Sequence, residues 1–182
     1  MEHLQIGVKY YLNNNKKIRP INRIDRDTSG IVLFAKNEYI QELMINSTKI
    51  KKEYIAITDG ILKEKSGTID LPIARKPGSI MERQVSVEGQ TAITHYEVIR
   101  QIQDRFTLVK LELGTGRTHQ IRVHLSHIGA PILGDTLYGK ETDLISRQAL
   151  HAHKITFTHP ITQNTVEIIA PIPDDISKVS RL

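Results

Sequence analysis

Apolar residues recur at helical spacing at the start of the chain. Leu4, Val8, Tyr11 and Leu12 share one face and predict a helix that runs to Leu12. Asn13, Asn14, Asn15 and the lysines after them end it, and Pro20 bars its continuation. The unbroken apolar run Ile31 to Ala35 reads as a buried strand. Residues 38–48 read as a helix with Ile40, Leu43 and Met44 on one face. The pattern then changes period. In 53–60, Tyr54, Ala56 and Thr58 alternate with Ile55 and Ile57 and end on an Asp-Gly turn, a strand signature. Residues 67–73 form a short strand carrying Pro72, and the polar, basic 74–89, with Pro77 and Gly78, a loop or irregular hairpin. Residues 91–100 and 106–116 flank a polar turn at Gln103 and Asp104 and predict an antiparallel pair. Helical spacing returns in 115–131: Ile121, Leu125 and Ile128 make one stripe, Thr118 is the predicted N-cap, Gly129 the C′ residue and Pro131 the stop. Residues 149–160 and 164–173 close the chain as strands.

Mostly antiparallel strands with a few helices make this an α+β chain. Its 182 residues suit one domain with a sizeable core. The absence of cysteine excludes disulfides, thiolate metal sites and cysteine nucleophiles. No apolar run is long enough to span a bilayer as a helix. The N-terminus lacks the basic and small-residue features of an export signal, so the expected compartment is the cytoplasm. A net charge of +5 and a pI of about 9.4 favour polyanionic partners, because binding phosphates releases counterions.

The stretch "RIDRDTSG" sets Asp25 and Asp27 between and beside Arg23 and Arg26, ahead of Gly30. Turn chemistry explains it without function, since Asp, Ser and Gly are turn formers. The neighbouring arginines point further: opposite charge favours an ionised carboxylate, and such a group beside a strand suits a nucleophile or general base. A glycosidase pair needs a carboxylate separation that sequence does not supply. Arg122 flanks the apolar stripe of the 115–131 helix, either solvated or as a partly buried guanidinium forked onto a carboxylate. His124 and His127 stand one turn apart, as two metal ligands would, but the helix offers no carboxylate to complete such a site. His151 and His153 share one side of a strand, where structural or RNA contact is the simpler role.

Four segments, "RIDRDTSGIVLFAKN", "KKEYIAI", "GRTHQIRVHLSHIGAPILGDTLYG" and "LHAHKITFTHP", together resemble the motifs of the RluA family of pseudouridine synthases, in that family's order. The likeness runs from about Ile21 to Pro171. It implies a mixed, mainly antiparallel central sheet with flanking helices, and a catalytic domain occupying 1–182. It implies isomerisation of uridine to pseudouridine in ribosomal or transfer RNA, on a nucleotide flipped from the stack. No cofactor and no metal are implied; the expected partner is RNA and the expected state a monomer.

The resemblance assigns the essential aspartate to Asp25, the active-site tyrosine to Tyr54 and the arginine that pairs with the aspartate to Arg122. Arg23, Thr28, Arg117, Thr118, His119 and Gln120 match positions around the substrate. The basic loop Arg75 to Arg83 and Lys49, Lys51 and Lys52 are expected to meet phosphates. Two departures stand out. Asn22 occupies a position usually held by histidine. The chain also begins at a helix where relatives have a further strand, so it reads as N-terminally short, with a sheet edge left open. The competing expectation is an RNA-binding module of the same fold with little catalysis.

Overall fold

The computed structural model describes residues 2–11 and 18–182. The elements are α1 (Glu2–Tyr11), β1 (Arg19–Pro20), β2 (Ser29–Gly30), β3 (Phe34–Ala35), α2 (Glu38–Asn46), β4 (Lys51–Asp59), β5 (Ser66–Asp70), β6 (Ile73–Arg75), β7 (Arg83–Val85), β8 (Ile93–Ile102), β9 (Phe106–Leu113), α3 (Gln120–His127), β10 (Leu150–Thr158), β11 (Thr165–Ile169) and α4 (Asp174–Ser180). The main sheet runs β11-β10-β4-β9-β8-β5 with antiparallel neighbours, and β2 adds to β10 in parallel. This is the mixed, mainly antiparallel sheet of the expected α+β class.

Strand β4 lies at its centre. Tyr54, Ile55, Ala56, Ile57 and Thr58 are buried in succession, so both faces of the sheet are covered there. Ile121 and Leu125 of α3 and Ile176 and Val179 of α4 join Ile55, Ile57, Val109 and Leu111 in one core. The 91–100 and 106–116 pair forms as β8 and β9. Its turn residues Gln103 and Asp104 have φ of 50° and 51°, left-handed geometry that suits right-twisted strands, in a turn that Arg105 N–H closes on Ile102 O at 3.2 Å. The irregular hairpin of 74–89 is the β6–β7 ribbon.

Several expectations change. Residues 67–73 are not one strand but divide at Leu71 and Pro72 between β5 and β6 of separate sheets, and the strand of 164–173 stops at Ile169, ahead of α4. Ile31 to Ala35 is not one buried strand. The chain leaves β10 after Gly30 and joins β1 only at Phe34, so two two-residue pairings replace it, and only Ala35 of the run is buried. Tyr11, placed on the apolar face of α1, is exposed; the side chain of Leu4, and Leu12 to Asn15, lie outside the described residues. Thr118 is not the N-cap of α3. His119 is, in the left-handed region and without a side-chain cap. Ile128 does not continue the buried stripe of Ile121 and Leu125, because α3 ends there. Gly129, at φ 81°, donates to Ser126 O and Ala130 to Leu125 O, the paired bonds of a glycine-terminated helix.

Candidate active site

The loop between β1 and β2 carries Asp25, and its shape follows from a few polar side chains. Asn22 is buried; its amide accepts from the Leu33 N–H at 2.7 Å and donates to Ile31 O at 3.2 Å, acting as one rung of a ladder. The residue standing in place of histidine therefore braces the loop. Thr28 N–H closes a turn on Asp25 O at 3.1 Å, with Asp27 at φ 65°, a conformation that aspartate tolerates better than most residues. Gly30 passes so close to β10 that a Cβ would overlap the Ala152 carbonyl, which explains the glycine. From behind, buried Gln148 donates to Arg26 O at 2.6 Å and Thr28 Oγ1 at 3.1 Å, and Arg147 donates to Asp27 O at 3.2 Å. Arg147 is itself held bidentately by Asp175 of α4 at 2.8 and 2.9 Å.

Helix α3 supplies the facing wall. Gln120 is buried with its whole amide engaged. Its oxygen accepts from Thr115 Oγ1 and Arg117 N–H at 2.8 and 2.9 Å, and its nitrogen donates to Ile93 O and Thr94 Oγ1 at 2.9 and 3.0 Å. Gln120, which also lines the cavity, thereby clamps the β9–α3 loop. Thr28 likewise is buried and turned to Gln148.

Arg122 is buried and meets two carboxylates, its fork on Asp135 and a longer ion pair on the expected Asp25. Nε and Nη2 donate to Asp135 at 2.7 and 2.8 Å, whereas Nη1 lies 3.8 Å from Asp25 Oδ2. Burial alone would drive Arg122 toward losing its charge; the bonds and charge of Asp135, with a smaller pull from Asp25, more than offset this and leave its pKa above the ordinary value. The nearby arginines expected to favour an ionised Asp25 do not pair with it: Arg26 is exposed and reaches only Asp27 at 3.8 Å, and Arg23 is exposed at the rim. The cation at Asp25 comes from across the fold.

These walls enclose a cavity of about 640 Å³ lined by Arg23, Asp25, Thr28, Lys52, Tyr54, Arg117, Thr118, His119 and Gln120 among others. Tyr54, from the central strand, is buried beneath it. Burial, with a further contribution from the Asp25 charge, pushes its hydroxyl up to about 12. Tyr54 is thus a neutral aromatic surface and a poor base at neutral pH. A tyrosine that holds its proton more tightly folded than unfolded contributes stability that is complete below pH 10 and is lost as pH rises toward 12, because only the unfolded chain gains from deprotonation in that window. The loss attributable to Tyr54 is roughly 1 kcal/mol per pH unit. Tyr54→Phe should therefore lose less stability than wild type between pH 10 and 11 in urea titrations; equal losses would contradict the shift.

His124, weighed as half of a metal pair with His127, has both ring nitrogens engaged, Nδ1 with Thr94 Oγ1 and Nε2 with Leu71 O, each at 2.9 Å. His151 meets Ser29 Oγ at 2.9 Å and His153 meets Ala170 O at 2.8 Å, both structural contacts. Of the lysines expected at phosphates, Lys51 pairs with Glu112 at 2.9 Å, Lys49 is exposed, and Lys52 lines the cavity, its pKa lowered by burial. Arg117 bonds Thr91 O at 3.0 Å and, with Thr118, also borders a groove leading to Arg75 and Arg83. Asp135 and Tyr138 were missed, although both lie in the quoted "GDTLYG". The local signal was an acid directly after a glycine, in a segment already noted; Gly134 has φ 73°.

Residues 1–127 match the family model described as RNA pseudouridylate synthase. The chain is 46% identical over 162 residues to the uncharacterized RNA pseudouridine synthase YjbO of Bacillus subtilis, covering 87% of this chain and 57% of that protein. It is 40% identical over 172 residues to ribosomal large subunit pseudouridine synthase D of Haemophilus ducreyi, covering 85% of this chain and 52% of that protein. The chain thus spans little more than half the length of these relatives. Among solved structures, human RNA Pseudouridylate Synthase Domain Containing 1 superposes with a TM-score of 0.76 at 27% identity, covering 92% of this chain and 73% of that one.

Proposed function

Because this chain belongs to the RNA pseudouridylate synthase family, we propose that it isomerises uridine to pseudouridine in structured RNA, with Asp25 as the reacting carboxylate. The observation that carries the reading is the placement of Asp25: its side chain is about a quarter exposed, lines the cavity together with Tyr54 and has Arg122 as its nearby cation. A base inside a duplex or stacked loop is out of reach, so the target nucleotide turns out of the stack into the cavity. Tyr54 offers its ring to the base. Asp25 then either attacks the nucleotide, forming a bond to it that breaks again before product leaves, or takes a ribose proton that it later returns; both routes reach the same product. The C1′–N1 bond breaks, the uracil turns while held, the C1′–C5 bond forms, the C5 proton leaves and N1 takes up a proton. Nothing is oxidised or reduced, and the sum is an isomerisation. A tyrosine titrating near 12 passes the C5 proton only by releasing one as it accepts another, so water or another group takes it up in the end.

The rim fits an RNA backbone. Arg23, Arg117 and Lys52 line the cavity, and Arg75 and Arg83 border the adjoining groove; such contacts position RNA without reading its bases. Relatives named for the ribosomal large subunit make ribosomal RNA the first substrate to test, ahead of transfer RNA. The test is tritium release from transcripts made with uridine tritiated at C5, since that hydrogen must leave. Release that follows enzyme concentration is the expected result. RNA binding without release would favour the binding-module alternative.

A further inference from the structure

Two side chains, His119 in the Asp25 cavity and Tyr138 against it, have no part in the chemistry above. His119 sits at φ 57° and ψ 19°, a region costly for a residue with a side chain unless its surroundings hold it there. Tyr138 holds it. The Tyr138 hydroxyl lies 2.8 Å from His119 Nδ1, and the two rings meet edge to face, 5.6 Å apart at 74°. The same hydroxyl accepts the Arg83 amide N–H of the β6–β7 hairpin at 2.8 Å.

A phenol has one proton to give. With the Arg83 amide occupying an acceptor position, the acceptor left for that proton among the described residues is His119 Nδ1. With Tyr138 donating, Nδ1 accepts, and the ring carries its hydrogen on Nε2. Nε2 has no protein partner among the described residues and is not a buried orphan, and His119 lines the cavity that holds Asp25. Burial foremost, helped by the charges of Arg122 and Arg83 and opposed by Asp25, lowers the pKa of the ring and favours its neutral form.

We propose that Tyr138 is a positioning residue that fixes His119 as a neutral Nε2–H donor, and that this donor meets a carbonyl oxygen of the pyrimidine turned into the cavity. The identity of the ring rests on the pseudouridine synthase reading; the tautomer does not. Whichever bond forms first, the detached uracil keeps both carbonyl oxygens. A neutral N–H can hold one of them through the turn without surrendering a proton to it. Because the relay starts at the Arg83 amide, the hairpin that borders the basic groove also helps to orient the donor inside the cavity.

Tyr138→Phe removes the hydroxyl but keeps the ring that lies 5.1 Å from the Arg122 guanidinium. Imidazole nitrogen spectra should report the Nε2–H tautomer for His119 in wild type and a mixture in Tyr138→Phe. An RNA hairpin with a loop uridine should shift the wild-type Nε2 resonance. In single-turnover assays Tyr138→Phe and His119→Leu should each slow the reaction about tenfold, with RNA Kd changed less than about twofold. The double variant should be no slower than His119→Leu, as expected when both act on one hydrogen bond. His119→Gln, which keeps an N–H donor, should recover part of the loss. An Nδ1–H tautomer in wild type, a resonance unmoved by bound RNA, or a double variant whose loss is the product of the singles would overturn the proposal. A wild-type chain with the expected tautomer and RNA-induced shift but no turnover would leave the relay standing and remove the catalytic reading instead.

Discussion

Asp25→Ala is expected to eliminate pseudouridine formation, a loss on the order of 10⁴-fold or more, the scale seen when a reacting carboxylate or nucleophile is deleted. RNA affinity should stay within about threefold of wild type, because phosphate contacts at the rim carry most of it. The loop should survive the change. What closes its turn is the Asp25 carbonyl, which alanine retains, and what holds it from behind is Gln148 and Arg147. The Asp25 side chain makes no hydrogen bond among the described residues, only the 3.8 Å ion pair with Arg122. Asp25→Asn keeps the shape and removes the charge, so it should be equally inactive. Tritium release in single turnover and filter binding on one RNA check both halves. A variant that retains a tenth of wild-type activity would remove Asp25 from the chemistry.

Several elements after residue 50 were legible because they carry local signals: alternation in 53–60, a polar turn at Gln103 and Asp104, a glycine helix stop at Gly129. What was not legible depends on partners distant in sequence. The run Ile31 to Ala35 looks like a strand on hydrophobicity alone, yet its hydrogen bonds are divided between β10 and β1, more than 100 residues apart in the chain. The same holds at the site. Asp25, Tyr54 and Arg122 were named from motif likeness, and Asp25 and Tyr54 line one cavity, with Arg122 beside Asp25. The local reading paired Asp25 with Arg23 and Arg26, its sequence neighbours, because only the family resemblance, and no periodicity or charge pattern, links Asp25 to Arg122 of a helix beginning 95 residues later. Asp135 was missed for the same reason. Its bidentate bond to Arg122 is a property of packing, and no periodicity reports it.

Asp135→Ala should be the most destabilising substitution at the site, by about 3–5 kcal/mol, the cost of stranding one member of a buried ion pair. Asp135 is fully buried and Arg122 nearly so. Removing the carboxylate costs Arg122 both strong bonds and also orphans the Leu137 and Tyr138 N–H groups, which Asp135 Oδ1 accepts at 3.0 and 3.1 Å. Arginine has no route out of its charge. The reverse deletion is milder, because in Arg122→Met the carboxylate keeps those two amide donors. Activity should divide differently. In Asp135→Ala the freed guanidinium has one carboxylate in reach among the described residues, Asp25, now 3.8 Å away; closing that gap ties up the group that must react, so turnover should fall even where the protein is folded. Arg122→Met should also lower turnover, by removing the cation beside Asp25. The double variant Arg122→Met/Asp135→Leu replaces the pair with apolar side chains, a change that commonly restores stability. It should be more stable than Asp135→Ala in urea unfolding yet no more active than Arg122→Met. A double variant that recovered turnover along with stability would show that the pair serves the fold alone and leave Asp25 without its proposed cation.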